Sequence, residues 1–479
     1  HQVAIQLYLE NLFMTGIALF IAWIFIELSI DTVNGILSIP IISNTKFSLL
    51  LSLSILFLLP LITSVYPFIR YNYSAPITSL RSVNQSGSST VSRSLFLGLQ
   101  YSITIILIVV SIFFIKQLDY MVNADPGYRT QNIIKTQLLH DGISTKEREE
   151  TYRKADIFEH QLSTSPLFET YIFGEPPCSK IHYTSPIRVP GEEYKDVVCE
   201  SNSEKYFELF NIRLKEGRLW DDASDSYKDN NIIINETAQK LFNIKNLDNA
   251  ELEAERAFVI FDIDDFTKPR KYNVIGIVKD FNTGHLSKAT VPMVYYYYKN
   301  DPREPLMAYI SEGKEQEAIA FLKKLHEEVE GDEFNYTFIS DEIRSLYNKD
   351  KQITSIYTVF ALIAILISSM GLFGLSLFDV QQRYHEIAIR KVNGATTVTV
   401  MQMLLRKYYK LLGIAFLVAM PLSWIAINKY LEDFANKAPV SWWIFALALT
   451  VTAGISLATL IWQIHKAAQT NPAEAMNAE

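Results

Sequence analysis

The sequence has few of the residues and motifs that mark a catalytic or metal-binding protein. It holds two cysteines among 479 residues, and they lack the C-x-x-C spacing, with histidines arranged beside it, of a zinc site. The phosphate loop G-x-x-x-x-G-K-[ST], H-E-x-x-H and G-x-S-x-G are all absent. We therefore predict no catalytic, cofactor-binding or metal-binding residues, and no ATP site of the phosphate-loop kind in this chain.

The sequence also lacks the excess of basic residues that nucleic-acid binding requires. The net charge is −8, so no nucleic-acid partner is predicted. Basic residues gather at the edges of apolar segments instead.

The apolar residues concentrate in six runs, each about 20 residues long, the length that crosses a bilayer. They lie at residues 12–30, 47–69, 97–116, 354–377, 411–427 and 442–464. Between the third and fourth runs, residues 117–353 have the composition of a soluble domain. The sequence thus predicts a membrane α-helical protein with six transmembrane helices and one large α+β domain outside the membrane.

Basic residues set the expected orientation. The connection at 70–94 holds three arginines and no acidic residue, and the region 383–410 holds six basic residues. Cationic connections stay in the cytoplasm, so residues 31–46, 117–353 and 428–441 are expected outside and both ends of the chain inside. The two cysteines, Cys178 and Cys199, fall in the outer block, where an oxidising periplasm permits a disulfide; two unpaired thiols are the alternative.

An internal repeat is predicted with an offset of 396 or 397 residues. The segment beginning Ile5-Gln6-Leu7 matches Met401-Gln402-Met403, and Ser74-Ala75-Pro76 matches Thr470-Asn471-Pro472. Each copy would have four spans, with a large outer domain after the first. The second copy is complete, whereas the first keeps its last two spans. Because the chain begins at His1 rather than Met and shows no signal peptide, we expect it to be a fragment or a processed piece.

The predicted organisation follows from this repeat. Residues 1–70 hold the last two spans of the first copy, 71–96 a cytoplasmic linker, 97–116 the first span of the second copy, 117–353 the outer domain with a stalk, and 354–479 a three-helix domain with a cytoplasmic loop.

Within the outer block, helical spacing predicts helices at 146–163 and 314–329, and apolar β-branched runs predict strands at 231–235, 257–261, 272–278 and 293–298. Residues 341–352 are expected to continue as a rigid helix into the fourth span. The run Tyr295–Tyr298 is interpreted as core packing with a partly exposed face rather than as a ligand site. Glu27 is interpreted as a rim residue that reaches water.

The loop at 383–396, RYHEIAIRKVNGAT, is the candidate functional site. Residues 381–391 can form a surface helix whose end is set by Asn393-Gly394, with Arg390 and Lys391 favourably placed near that end. From charge alone, the loop could be only a topology signal.

The order of residues in this loop resembles a known family. Glu386-Ile387-Ala388-Ile389-Arg390-Lys391-Val392-Asn393-Gly394-Ala395 is similar to the E-I-x-I-R-K-x-x-G-A motif of MacB/FtsX-type ABC transporter permeases. The segments YFELFNIRLKEGRLW, NIIINETAQKLF and VIGIVKDF resemble the family's periplasmic domain, and NPAEAM resembles its C-terminal N-P-x-x-x-L ending with Met476 for Leu. The resemblance covers nearly the whole chain and is greatest to the duplicated permeases of Bacteroidota.

The resemblance implies a function in the bacterial inner membrane. It implies that a separate, dimeric cytoplasmic ABC ATPase docks on the loop and that stalk helices transmit its motion to a MacB-like periplasmic domain, for efflux or export. The implied coupling residues are Glu386, Arg390, Lys391, Gly394 and Ala395, and the implied partners are the ATPase, membrane lipid and a periplasmic adaptor or outer-membrane protein. This chain would carry one of the two loops needed by a dimeric ATPase.

Two other functions stay open at this point. One is a membrane scaffold or sensor that regulates a periplasmic partner without transport, as in the cell-division branch of the family. The other is a membrane enzyme, for which the sequence offers no nucleophile, base or metal constellation.

Overall fold

The computed structural model of the 479-residue chain describes residues 2–37, 45–73, 87–139, 145–179, 183–221, 223–226, 229–258, 268–298, 304–330, 333–382, 389–390 and 393–469. It divides into two compact units. One is a set of long apolar helices, and the other, Gln117–Lys349 with Tyr430–Ala438, is an α+β unit.

Six helices are long and apolar enough to cross a membrane, at Ile5–Gly35, Thr45–Val65, Arg93–Val122, Asn348–Asp379, Met401–Leu431 and Trp442–Ile461. Their full bounds are α1 Gln2–Leu37, α2 Thr45–Tyr73, α3 Gly87–Val122, α9 Asn348–Gln382, α10 Thr397–Leu431 and α11 Trp442–Gln469. Five shorter helices belong to the α+β unit: α4 Thr145–Thr164, α5 Glu204–Leu209, α6 Glu236–Leu241, α7 Glu315–Val329 and α8 Ile339–Leu346. The predicted class, membrane helices with one α+β domain, is confirmed.

The helix bounds agree with the offset of the predicted repeat. Shifted by the 396 residues that separate His1 from Thr397, α1 would cover 398–433 and α2 would cover 441–469. The observed α10 and α11 have almost these bounds and lengths. This agreement supports the repeat, which remains a prediction.

Eleven strands form two sheets in the described part of the α+β unit. They are β1 Ile133–Thr136, β2 Phe168–Phe173, β3 Tyr183–Arg188, β4 Lys195–Asn202, β5 Leu214–Gly217, β6 Asn231–Asn235, β7 Glu251–Ala254, β8 Arg270–Val278, β9 Met293–Tyr297, β10 Leu306–Ile310 and β11 Tyr336–Phe338. A four-stranded antiparallel sheet has the order β11-β1-β10-β2. A seven-stranded mixed sheet has the order β5-β8-β6-β9-β4-β3-β7.

The seven-stranded sheet curls round and closes on itself. Strand β7 pairs with β3 through Ala254 and Ile187, and it also pairs with the first half of β8, where Leu252 faces Tyr272. Strand β5 takes the second half of the same edge of β8. Six strands thereby form a ring, and β5 lies outside it as a short extension.

Three hydrophobic clusters alternate with the two sheets. The first packs α4 and α7 on the four-stranded sheet, with Phe158 and Leu322 at its centre. The second lies between the sheets and contains Trp220 and Tyr295. The third fills the other side of the seven-stranded sheet and includes Phe242. In the central strands, such as β6 and β9, alternate residues therefore reach a core on both faces, which is why these strands have nearly continuous apolar sequences.

The tyrosine run in β9 follows this alternation. Tyr295 and Tyr297 are buried in the cluster between the sheets, whereas Tyr296 packs on the opposite face and stacks on Phe258 with ring centroids 4.9 Å apart. The interpretation as core packing is confirmed for these residues.

The segment Tyr430–Ala438, which includes the last two residues of α10 and most of the connection to α11, packs within the α+β unit. Ala435 N–H donates to the carbonyl of Ser287 at 2.7 Å. Gln117 is fully buried, its amide nitrogen donates to the carbonyl of Asn436 at 3.1 Å, and its amide oxygen accepts from Ala438 N–H at 2.8 Å. The amide nitrogen and the amide oxygen of Gln117 thus both hold this segment in place.

The predicted rigid helix at 341–352 is interrupted. Helix α8 ends at Leu346, Tyr347 leaves the helical path with φ −92° and ψ 7°, and α9 begins at Asn348. The Tyr347 side chain is buried in a small cluster with Met121 and Leu286. Packing of this ring offsets the cost of breaking the helix, which the sequence pattern could not show.

Most of the other predicted elements are present. The helices at 146–163 and 314–329 and the strands at 231–235, 272–278 and 293–298 appear within about two residues of their expected bounds. The strand expected at 257–261 is wrong for Ala257 and Phe258, which are not in a strand, and residues 259–261 lie outside the described residues.

The disulfide is not formed. Cys178 and Cys199 are both free and buried, and they belong to clusters on different sides of the seven-stranded sheet. Each thiol packs in its own core as a small apolar side chain does. Burial raises the pKa of both thiols to about 12.

Candidate functional site

The candidate site is the connection between α9, which ends at Gln382, and α10, which begins at Thr397. Of the five residues singled out from the sequence, Arg390, Gly394 and Ala395 are described. Glu386 and Lys391 lie outside the described residues.

The connection ends in a well-defined helix stop. Residues 389 and 390 are helical, and Gly394 has φ +86°. Ala395 N–H donates to the carbonyl of Arg390 at 2.9 Å, which is the six-to-one hydrogen bond of a Schellman motif with glycine at the left-handed position. The Asn393 amide also donates to the carbonyl of Ile389 at 2.9 Å. The predicted role of Asn393-Gly394 as a helix end is confirmed.

The next helix begins two residues later. Thr396 precedes α10 and its hydroxyl accepts a hydrogen bond from Thr399 N–H at 3.3 Å, as an N-cap residue does. Gly394, Ala395 and Thr396 therefore form a tight turn between two helical segments. This is the physical reason for the residue order N-G-A-T.

The turn presents a mixed surface. Ile389 is 46% exposed, and Arg390, Asn393 and Gly394 are exposed. An exposed isoleucine beside an exposed arginine is a combination suited to protein contact, since arginine and apolar anchors dominate interface energetics.

An ion pair joins the two helices on either side of the loop. Lys407 Nζ lies 2.6 Å from Asp379 Oδ2, and the Tyr408 hydroxyl donates to the same oxygen at 2.9 Å. Asp379 is buried, so its charge is compensated by the lysine and its lone pairs by both donors.

The sequence pattern did not predict this ion pair. The useful signal was an acidic residue directly after an apolar span, because ionisable groups at such depths usually have a partner. The partner itself is 28 residues away and could not be identified from spacing.

Helix α9 is also fixed against α3. The amide of Gln100 donates to the carbonyl of Ile367 at 2.7 Å, and a Cβ at Gly371 would lie 2.5 Å from Gln100 Oε1. Glycine at this position permits the close approach. The Ser111 and Thr358 hydroxyls are hydrogen-bonded at 3.0 Å nearer the other end of the helices.

The described part of the chain holds no group of three His, Cys, Asp or Glu side chains able to bind a metal ion.

Residues 358–472 match the family model of the FtsX-like permease C-terminal domain. This match begins in α9 and covers the loop, α10 and α11. A curated relative, the macrolide export ATP-binding/permease protein MacB of Sodalis glossinidius, is 30% identical over 145 residues, which are 30% of this chain and 22% of that protein. Residues 358–472 thus carry an FtsX-like permease domain.

The solved structures similar to this chain include two extramembrane domains. The periplasmic region of MacB from Actinobacillus actinomycetemcomitans has 17% identity and a TM-score of 0.30, over 45% of this chain and 92% of that one. The extracellular domain of the ABC-type transporter YknZ from Gram-positive bacteria has 13% identity and a TM-score of 0.28, over 43% and 99%.

Proposed function

We propose that this permease is the membrane subunit of an ATP-driven export complex and that a separate cytoplasmic ATPase drives it through the loop between α9 and α10. The observation that carries the proposal is the loop's construction. Its turn is closed by the Ala395–Arg390 hydrogen bond at one end and by the Thr396 cap at the other. A partner that pushes on this turn meets a stiff element.

The ion pair between Asp379 and Lys407 supports a mechanical role. With the two flanking helices fastened to each other at 2.6 Å, a displacement of the turn moves both helices instead of being absorbed in the loop. Helix α9 has 35 residues, so at 1.5 Å per residue it is about 50 Å long. It begins next to Tyr347, which is buried in the α+β unit, so motion along the helix reaches that unit through the backbone.

The charges support a cytoplasmic position for the loop. Arg390 lies in the loop, Arg406, Lys407 and Lys410 lie in the half of α10 nearest to it, and basic residues next to spans stay in the cytoplasm. With the loop in the cytoplasm, the α+β unit lies in the periplasm, on the other side of the inner membrane. An exposed Arg390 favours an acidic patch on the ATPase. Coupling contacts at Glu386, Lys391, Gly394 and Ala395 belong to the same proposal.

The test uses the full chain, purified from its native membrane with whatever ATPase accompanies it and placed in liposomes. Arg390→Gln removes the charge and Gly394→Val removes the turn. We expect each to lower permease-dependent stimulation of ATP hydrolysis about tenfold. For Arg390→Gln this is the effect of one lost charge-assisted contact, and for Gly394→Val it is the effect of about 1–2 kcal/mol of left-handed backbone strain. Arg406→Gln is the matched control, since Arg406 is an exposed basic residue on α10 outside the turn.

Full stimulation by both loop variants overturns the coupling role. Export is tested separately by what else copurifies. A periplasmic adaptor or an outer-membrane protein supports export, whereas a stable complex with a periplasmic hydrolase supports the scaffold function and overturns export while leaving the coupling role intact.

A further inference from the structure

A basic cavity lies between α3, α9 and α10 near the ion pair. Its volume is about 150 Å³. Three cationic side chains line it, Arg93, Lys407 and Lys410, against one carboxylate, Asp379. Since Asp379 neutralises Lys407, the cavity has two positive charges in excess.

The guanidinium of Arg93 is held in place by a ring contact, and one of its nitrogen donors remains without a hydrogen-bond acceptor among the described residues. It stacks on the Phe378 ring with the guanidinium carbon 3.9 Å from the ring centre, a cation–π contact that fixes its plane. Its Nη1 atom is enclosed by protein and has no hydrogen-bond partner among the described residues. A buried charged donor is costly to leave unpaired, so this atom indicates an anionic acceptor.

An apolar groove continues from this cavity along α3 and α10. Its volume is about 610 Å³. The two spaces share Ser94, Lys407, Leu411 and Ile414, and the groove continues past Gly98 and Leu99 on one side and Ala415 and Val418 on the other. Ser102 adds little polarity, because its hydroxyl is 2.9 Å from the Gly98 carbonyl and 3.3 Å from that of Ala415.

The groove has the depth and exposure of a lipid contact. From Ser94 to Ser102 the helix rises about 12 Å, most of the thickness of one leaflet. Leu99 is 56% exposed, Ile414 60% and Val418 48%. The basic cavity lies where the spans change from apolar to polar, since the apolar part of α3 begins at Arg93 and that of α9 ends at Asp379.

An acidic headgroup joined to an apolar chain satisfies both parts at once. A second protein helix would fill the groove but would leave Arg93 and Lys410 without anionic partners. A free phosphate would use the cations but leave the groove open. Basic pockets between helices on the cytoplasmic side are a known mode of anionic lipid recognition.

We propose that the cavity and the groove together bind one anionic phospholipid of the leaflet that faces the loop, with its phosphate at Arg93 and Lys410 and one acyl chain along Gly98, Leu99, Ala415 and Val418. The bound headgroup lies beside the Asp379–Lys407 pair that fastens the loop helices. Lipid composition therefore regulates how firmly those helices are held.

The test is native mass spectrometry of the full chain from detergent, after exchange with equal amounts of phosphatidylglycerol and phosphatidylcholine. We expect one phosphatidylglycerol to be retained in preference to phosphatidylcholine. Arg93→Gln combined with Lys410→Gln should reduce the preference roughly 30-fold, from about fivefold per cation near the headgroup. Arg406→Gln is the matched control on the same helix and should retain the preference.

A second variant tests the groove without touching charge. Val418→Trp, at an exposed position, should lower retention of both lipids by blocking the acyl chain. Equal retention of the two lipids by the wild type, or full displacement of phosphatidylglycerol by millimolar inorganic phosphate, overturns the lipid assignment. So does efficient disulfide formation between two copies of Val418→Cys in membranes, because the groove would then be a protein interface.

Discussion

Asp379 and Lys407 lie on different helices, and their side chains meet at 2.6 Å across the base of the candidate docking loop. The side chain of Asp379 is 12% exposed and that of Lys407 38%, so the pair is screened only in part. The Tyr408 hydroxyl donates to the same carboxylate oxygen as Lys407. If either donor is removed, the Asp379 carboxylate therefore keeps the other.

We expect Asp379→Ala to be more damaging than the loss of either donor alone. It leaves a lysine and a hydroxyl without their acceptor, at a cost of about 2–3 kcal/mol for a partly buried pair. Lys407→Met and Tyr408→Phe should each cost about 1 kcal/mol. Thermal unfolding of the full chain in detergent, arranged as a double-mutant cycle, measures the coupling. If the stability losses of Asp379→Ala and Lys407→Met simply added in the double variant, the ion pair would contribute nothing to stability.

The turn at Gly394 gives a graded prediction. With φ at +86°, glycine is favoured, asparagine is tolerated and a β-branched residue is strained. We expect stimulation of the ATPase to decrease in the order Gly, Asn, Ala, Val, with a backbone cost of about 1–2 kcal/mol for alanine. The measurement is ATP hydrolysis in liposomes at equal permease content. Equal activity of the asparagine and valine variants would show that turn conformation does not matter.

The two buried thiols predict a simple labelling result. Cys178 and Cys199 are enclosed and their pKa values are raised to about 12 by burial, so neither forms a reactive thiolate at neutral pH. Maleimide should label neither in the native chain and both after denaturation, and reductant should leave the melting temperature unchanged. Arg406→Cys provides the positive control. If the protein without reductant were lighter than the reduced protein by two hydrogens, the two cysteines would be shown to form a disulfide.

A carboxylate in the α+β unit predicts loss of stability in acid. Asp225 accepts two hydrogen bonds from Arg218, at 2.5 and 3.0 Å, and others from Asp221 N–H and Asn231. The Arg218 guanidinium is the main cause that lowers the pKa of Asp225 to about 2. The ionised form is favoured in the folded state, so the stabilisation is present above about pH 4 and is lost as pH falls towards 2.

Arg218 is 53% exposed, so solvent reduces this contribution to about 1–2 kcal/mol. Hydrogen exchange of residues 218–231 in the full chain should speed up between pH 4 and 2, and Asp225→Asn should remove that dependence. Identical acid profiles for the two proteins would exclude Asp225 as the source.

Gln117 predicts a local effect on the segment between α10 and α11. Gln117→Leu leaves the Asn436 carbonyl and the Ala438 N–H unpaired, which costs about 2–4 kcal/mol for two buried groups. We expect hydrogen exchange at residues 434–438 to accelerate. Lys116→Met is a useful comparison, because Lys116 donates to Pro439 and Ser441 just beyond that segment. Unchanged exchange in Gln117→Leu would mean that other contacts hold the segment.

The parts of the fold that the sequence predicted are those fixed by local pattern. The run Asn231–Asn235 is a strand as expected, and its last residue also caps α6 by accepting from Ala238 N–H at 2.8 Å. Helix α7 buries Ala318, Leu322 and Leu325, as their spacing predicted. The helix end at Asn393-Gly394 was predictable because glycine there needs no tertiary contact.

The parts that the sequence did not predict depend on distant residues. The break at Tyr347 needs the pocket formed with Met121 and Leu286, which lie far away in the chain. The Asp379 pair needs α10 to return beside α9. Cys178 and Cys199 suggested a disulfide because both lie in one domain, but only the strand topology places them on different faces of a sheet.

The closed sheet also bears on how this protein avoids self-association. An open sheet carries a row of unpaired backbone groups that can template another chain. Here β7 and β5 together cover one edge of β8, and within the described residues β5 is the strand of this sheet with a single partner. It has four residues, all exposed, and Lys215 and Glu216 charge its surface. A short, charged strand of this kind resists edge-to-edge pairing with another copy of the sheet.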